Sequence, residues 1–443
     1  MRDPVVMNHP AIAGQEDKIV ERNAYRAVWW GLGWLSADDP GFEGDPSGPT
    51  LTAAQIQNRA IARQHRETIG AGTDQARART ENARWLTLIR SASAPVTPSW
   101  FRALGGDVTD ACAISGNRVM NIGSDLFAGT TIVNDQYVGD ALPFRSAAIL
   151  ESTPGTFGSQ LYKAGNTGPW IEPDQGTYPN THYWPIACEP DPANADRVIV
   201  GCWLVRSAPT ATAPYGTLLG THFVSISLAF GGAVAGNASV TVPAGRFILK
   251  FWRDATHIYS LWESFHPLYS PGVEGVPIYG QGSDISGHHT RVYLARQTHA
   301  QFNSGANLTW WNGTTWVSQA DTAVWLTDTE GDPLRGDGDI TRVADGSFRW
   351  VGHTLIDTHV DVARSESITG PYEPYCRVPV PGMGGRVHGG VQIGQFARFV
   401  EHVTADAETS VVGLALNTLG TSGSFAGRNI RRYAPQFVVV PHY

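Results

Sequence analysis

Apolar positions follow two different periods along the chain. From about residue 16 to residue 90 they recur at helical spacing. "EDKIVERNAYRAVWWGLGWL" places Ile19, Tyr25, Val28, Trp29 and Leu32 at roughly helical intervals. "LTAAQIQNRAIARQHRETI" puts Ile56, Ala60 and Ile61 on one side, with Thr50 or Thr52 as a possible cap. "TDQARARTENARWLTLIR" continues with strong helix formers. Two or three helices are therefore expected within 1–95, closed by the linker "SASAPVTPSW". Two roles stay open for them: capping the main domain, or docking and oligomerisation through Trp29, Trp30 and Trp34.

From Leu104 onward the period shortens. Runs such as "RVIVGCWLVR", "RFILKFWRD", "RVYLARQ", "FRWVGHTLI" and "TSVVGLALNT" are rich in β-branched and aromatic residues, and Gly/Asp/Asn turns separate them. Evenly spaced strands without intervening helices predict a mainly β sandwich, barrel or propeller over 100–443. The length is too great for one sandwich. Four-stranded blades of roughly 50 to 70 residues predict about five, near 104–160, 180–232, 243–300, 305–368 and 385–443. The expected fold is a five-bladed β-propeller with an N-terminal α-helical segment.

Composition narrows the partners. Charged residues are 16% of the chain, the net charge is −8, and no Lys/Arg run occurs, so binding to nucleic acid phosphates is not expected. A neutral or weakly polar partner fits better, with sugars the obvious class. The N-terminal "MRDPVVMNHPAIAGQEDK" has no apolar core of a signal peptide, and no apolar run of membrane-spanning length occurs. The four cysteines, Cys112, Cys188, Cys202 and Cys376, make no metal or disulfide framework; buried thiols are expected, with a Cys188–Cys202 pair as the alternative.

Four phrases, in order, resemble a known family. "TDACAI…GSDLFAG" resembles its opening strands, "YGQGSDISGHHTRVYLARQT" its "YG…VYLAR" strand, "LTWWNGTTWV" its "WNG…W" hairpin, and "DGSFRWVGHTLIDTHVDVARSESITGPY" its strand pair ending in "GPW". The family is one of five-bladed propellers, some of which are endo-D-arabinanases that cut mycobacterial cell-wall arabinan. Similar propellers occur in minor tail proteins of phages. The resemblance covers about 100–443. It implies a virion tail protein that binds and hydrolyses arabinan-type host polysaccharide, or one that keeps the propeller only as a receptor-binding platform. Other tail proteins and further copies of the chain are the implied partners. A free bacterial glycosidase is the third reading.

Glycosidases commonly place two carboxylates about the scissile bond. If Gly116-Asn117 forms a two-residue hairpin turn, Ser115 faces Arg118 and Asp110 faces Gly123. Asp125 then projects on the same side as Asp110, as a diagonal pair, and Asp107 on the other. A three-residue loop would reverse that parity. The resemblance implies the same two residues, Asp110 and Asp125, as catalytic. The alternative is that both cap backbone amides at strand ends. Ser124, Leu126, Ala111 and Cys112 depart from the family's pattern beside them.

Polar residues near later strand ends are candidate substrate contacts: His182 and Trp184 in "HYWP", Asp284 and His288 in the Gly-rich loop, Asp357 and His359 in "LIDTHVDVA", and His388 in "GGRVHGGV". Trp184 is as well suited to packing as to stacking on a sugar. No compact metal-ligand set is present, and "DTEGDPLRGDGD" lacks calcium-loop spacing and reads as a solvated acidic loop. No nucleophile elbow, P-loop or dinucleotide fingerprint appears, so no cofactor is expected.

Overall fold

Strand β8 (Arg197–Arg206), "RVIVGCWLVR", is buried at eight consecutive positions, so both of its faces are covered. A strand packed between two neighbouring sheets must be apolar on both sides, which explains the unbroken run. A computed structural model describes residues 103–114, 118–128, 131–133, 136–138, 148–152, 160–161, 171–206, 217–228, 234–243, 245–266, 276–277, 289–331, 333–334, 338–352, 359–379, 386–387, 390–399, 409–419 and 435–442. The helices expected in 1–95 lie outside the described residues.

The first sheet is built from β1 (Ala103–Ile114), β2 (Arg118–Ala128), β5 (Ala148–Ser152) and β6 (Gln160–Leu161). A separate small hairpin, β3 (Thr131–Val133) and β4 (Gln136–Val138), interrupts it in sequence. The second sheet runs β7 (Thr181–Pro190), β8 (Arg197–Arg206), β9 (Thr217–Ser227) and β10 (Val234–Val240). The third runs β11 (Arg246–Arg253), β12 (His257–His266), β14 (His289–Thr298), β15 (Thr309–Trp311) and β16 (Trp316–Val317). Between β12 and β14, β13 (Val276–Pro277) crosses over to pair with β9 of the second sheet. The fourth sheet is β17 (Asp339–Arg342), β18 (Phe348–Gly352), β19 (His359–Ser365) and β20 (Glu373–Pro379). The fifth is β21 (Arg386–Val387), β22 (Gly390–Phe399), β23 (Thr409–Leu419) and β24 (Pro435–Pro441). All pairings between named strands are antiparallel.

The "LTWWNGTTWV" hairpin completes the third sheet instead of opening the next one, and the fourth begins only at Asp339. The reason is packing: Trp310 is buried against Trp262 of the third sheet, at 5.6 Å between ring centroids.

Inner strands meet in a ring. β1 contacts β7, β7 contacts β11, β11 contacts β17, β17 contacts β22, and β22 returns to β1. This is a β-propeller arrangement. Its core lies between sheets. Met120 and Ile122 of the first sheet pack with Val198 and Val224 of the second. Trp203 and Phe223 pack with Phe251 and Trp262 of the third. Leu249 and Leu294 meet Ile340 and Trp350 of the fourth, and Val360 and Tyr375 meet Phe399 and Val438 of the fifth. Two short 3-10 turns, His299–Ser304 and Ala320–Thr322, are the helical elements among the described residues.

Candidate functional site

Four of the inner strands carry a register shift beside the axis. It falls between Val108 and Asp110 in β1, Pro185 and Ala187 in β7, Ile248 and Lys250 in β11, and Gln395 and Arg398 in β22. A bulge bends a strand and re-aims the next side chain. Here the shifts lead into Asp110, Cys188, Lys250 and Arg398, which meet with Asp339 at the first position of β17.

These side chains form a buried charge cluster at the centre of the ring. Lys250 Nζ donates to Asp110 Oδ1 and lies 3.7 Å from Asp339 Oδ2. Asp110 also accepts from the Cys188 N–H at 2.8 Å and from the Ala111 N–H at 2.8 Å. Asp339 accepts from the Phe399 N–H at 2.9 Å and the Ile340 N–H at 2.7 Å. Arg398 donates to the carbonyls of Gly338 at 2.8 Å and Leu249 at 2.9 Å. The cluster thus ties the first sheet to the second and third, the fourth to the fifth, and the fifth back to the third and fourth. Gly338 has to be glycine, because a Cβ there would collide with the Trp350 ring. Burial pushes the Asp339 carboxyl up to about 6, with the Lys250 and Arg398 charges pulling the other way. Asp339 was expected in a solvated acidic loop. It is instead 1% exposed, and Asp328 of the same stretch is 2% exposed.

The hairpin register differs from the expected one. Ile114 pairs with Arg118, leaving three residues between them, and Asp110 pairs with Ile122 rather than Gly123. The connection is thus the three-residue case, in which the expected pairing of faces does not hold. The Asp125 side chain lies outside the described ones. The Asp110 carboxylate is fully buried. Its neighbours Cys112 and Cys188 are buried free thiols whose pKa values burial raises, as is Cys202, which pairs with Pro185 and not with Cys188.

A cleft of about 700 Å³ opens off the axis, where β7 and β11 begin and β8 gives way to β9. Tyr178, Asn180, Arg206, His222, Ser239 and Arg246 are among its lining, which contains no carboxylate. His222 Nδ1 is 2.7 Å from the Tyr183 hydroxyl, which in turn lies 3.4 Å from Asn237 Nδ2. Burial lowers the His222 pKa to about 4, so the imidazole is neutral at ordinary pH. The Arg246 guanidinium lies over Tyr293 at 3.9 Å and Trp310 at 5.1 Å and donates to the Ala320 carbonyl at 2.6 Å.

No family model matches the chain, and no curated protein matches it. Solved structures do. A candidate hydrolase from Bacteroides ovatus is 14% identical, with a TM-score of 0.53 over 80% of this chain and 88% of that one. The likeness is one of fold. A GH43_12 structure from a capybara gut metagenome, 14% identical with a TM-score of 0.42, covers 80% of this chain, which spans 55% of it. A GH43_1 enzyme from Xanthomonas citri, 10% identical with a TM-score of 0.39, covers 80% of this chain and 93% of its own.

Of the other sequence candidates, His182, Trp184 and the backbone of His359 lie among the described residues. His182 and Trp184 sit on β7 two residues apart, both half-buried, with ring centroids 6.0 Å apart. Trp184 packs on the core shared by the second and third sheets, 6.3 Å from Trp203. Burial lowers the His182 pKa to about 4. His359 opens β19, the third strand of its sheet, well away from the inner ring, and its side chain is not among the described ones. Asp284, His288, Asp357 and His388 lie outside the described residues. Among the described residues, no group of three or more His, Cys, Asp and Glu side chains is placed to hold a metal ion. Sequence reasoning missed Lys250, Asp339, Arg398 and His222. The signal available for the first was a lysine in the otherwise apolar run "RFILKFW".

Proposed function

We propose that this chain is a glycan-directed, five-bladed propeller of a phage tail that binds arabinan-type polysaccharide of the host cell wall without hydrolysing it. The five large sheets are read as its blades. Residues 1–95 would dock it on other tail proteins or on further copies of itself. Four family-like phrases in order support the glycan class, as does the low share of charged residues, 16%. One observation carries the choice of binding over hydrolysis. Asp110, the carboxylate that the resemblance makes catalytic, is fully buried and committed to Lys250 and two backbone amides. A general acid or base must reach the proton it moves.

A hydrolytic reading has its own support. Asp110 and Asp339 flank one lysine, and burial raises the Asp339 carboxyl to about 6, as suits a general acid. It requires the axis to open to substrate, with Asp125 as the further candidate. Incubating the full chain with mycobacterial arabinogalactan separates the two. Sedimentation with the polymer and no soluble oligosaccharide is the expected result. Oligosaccharide release by the wild type, lost in Asp110→Asn, would replace binding with hydrolysis.

A further inference from the structure

We infer that the cleft between the second and third sheets is a binding site for a neutral saccharide, with His222 as its orienting hydrogen-bond donor; the inference rests on the glycan-directed reading and gives that ligand a place. Its size falls within the roughly 300–1,000 Å³ of small-molecule sites. Its lining alternates apolar surface with neutral polar groups, as a sugar ring does: Leu219, Val240 and Pro243 beside Asn180, Thr241 and Ser239.

The donor is set by a chain of three side chains. The Asn237 amide donates to the Tyr183 oxygen, so the Tyr183 hydroxyl gives its own proton to His222 Nδ1. Burial keeps the Tyr183 phenol protonated by raising its pKa, and Tyr183 is 1% exposed. The imidazole proton therefore sits on Nε2. The Tyr178 ring, 4.9 Å from the imidazole and edge-on at 68°, holds it from the other side. His222 is 3% exposed, so its rotamer is fixed before any ligand arrives. A donor fixed in advance loses little entropy on binding.

Charge selects the class. A cationic ligand would find no carboxylate in the lining. An anionic one would draw little from Arg246, whose charge already faces two rings and a carbonyl, or from Arg206 at the other edge, which is also engaged. Hydroxyl groups, which accept from Nε2–H and exchange bonds with Asn180 and Ser239, suit the surface. The site is off the axis, so it leaves the buried charge cluster untouched.

The test is calorimetric titration of the full chain with three probes: arabinogalactan, a neutral arabinofuranose hexasaccharide, and an oligogalacturonide of equal length. Each is run on the wild type, His222→Phe, Tyr183→Phe and Tyr178→Ala, with unfolding midpoints recorded. Tyr178 is half-buried at the rim, at the edge of the core between the first and second sheets, so its variant disturbs the packing less than the two buried ones and its unfolding midpoint reports what it does disturb. The hexasaccharide Kd should rise about tenfold in His222→Phe and about threefold in Tyr183→Phe and Tyr178→Ala. Equal affinity in all four proteins would overturn the cleft assignment while the glycan reading stands. Cleft-dependent hexasaccharide binding without polymer binding would uphold the cleft and remove the cell-wall reading. Tighter binding of the oligogalacturonide would overturn the neutral class, and no binding of any probe would overturn both.

Discussion

At the axis, Asp110, Lys250, Asp339 and Arg398 are each between 1% and 5% exposed, and their partners are one another and the backbones of neighbouring strands. At the cleft, His222 and Tyr183 are as deeply buried, yet they are neutral and line or support an open space. Both regions lie near the ends or bends of inner strands. The difference is in what a polar group is buried for. Two carboxylates share one ammonium while Arg398 binds backbone carbonyls, and together they hold several sheets in one arrangement. A neutral imidazole held by a phenol keeps one donor ready for something outside the protein.

The comparison breaks most readily at Lys250. Lys250→Met leaves two buried carboxylates without their ammonium and should cost about 3–5 kcal/mol in denaturant unfolding. A loss below 1 kcal/mol would mean that the axis charges do not hold the sheets together.

The pH dependence of stability sharpens it further, because the two regions have opposite signs in nearly one window. Asp339 has a folded pKa of about 6, raised from 3.8, so its contribution is full below the unfolded value and is lost as pH rises toward 6. His222 has a folded pKa of about 4, lowered from 6.5, so it favours the fold above 6.5 and loses that contribution as pH falls toward 4. Each amounts to about 3 kcal/mol at most. Asp339→Asn should therefore unmask a steeper loss of stability on acidification than the wild type shows. Urea midpoints at a series of pH values from 4 to 7 measure it, and an unchanged profile would remove Asp339 from the account.

Trp184→Ala tests a residue whose chemistry suits a sugar but whose place is in the packing. It should cost about 2 kcal/mol of stability, because the ring is only half-buried, and leave saccharide affinity unchanged. Loss of affinity without loss of stability would return Trp184 to the site. The smallest effect is expected from Tyr183→Phe, about 1 kcal/mol in stability, from the lost bond to His222 and the longer one from Asn237.

Much of the fold was legible because a strand between two sheets must be apolar on both faces, and runs such as "RVIVGCWLVR" announce that locally. The hairpin register was not. Gly116-Asn117 suits a two-residue turn, but the observed pairing of Ile114 with Arg118 leaves three residues between the strands, and one residue of slip is enough to reverse a face. The axis was not legible either, since Asp110, Lys250, Asp339 and Arg398 come from four sheets and are aimed by bulges or strand ends that no local pattern marks. Asp339 illustrates the limit. In "RGDGD" it resembles a solvated turn residue, yet Gly338 lies close against Trp350 and the Phe399 amide and Lys250 hold the carboxylate inside.

The boundary between the second and third sheets is stitched by β13, which leaves one sheet to pair with the other. Among the described residues no strand does the same between the first sheet and the fifth, and the chain does not run on from one to the other, so the ring closes there by contact between sheets distant in sequence. A ring with one joint that no chain connection spans has a preferred place to part under load or heat. Amides along β1 and β22 should exchange with solvent ahead of those in β8 and β9. Sewing the seam shut, by a permutant that joins residue 442 to residue 103 and opens the chain at the 207–216 connection, should move that weak point to the new break.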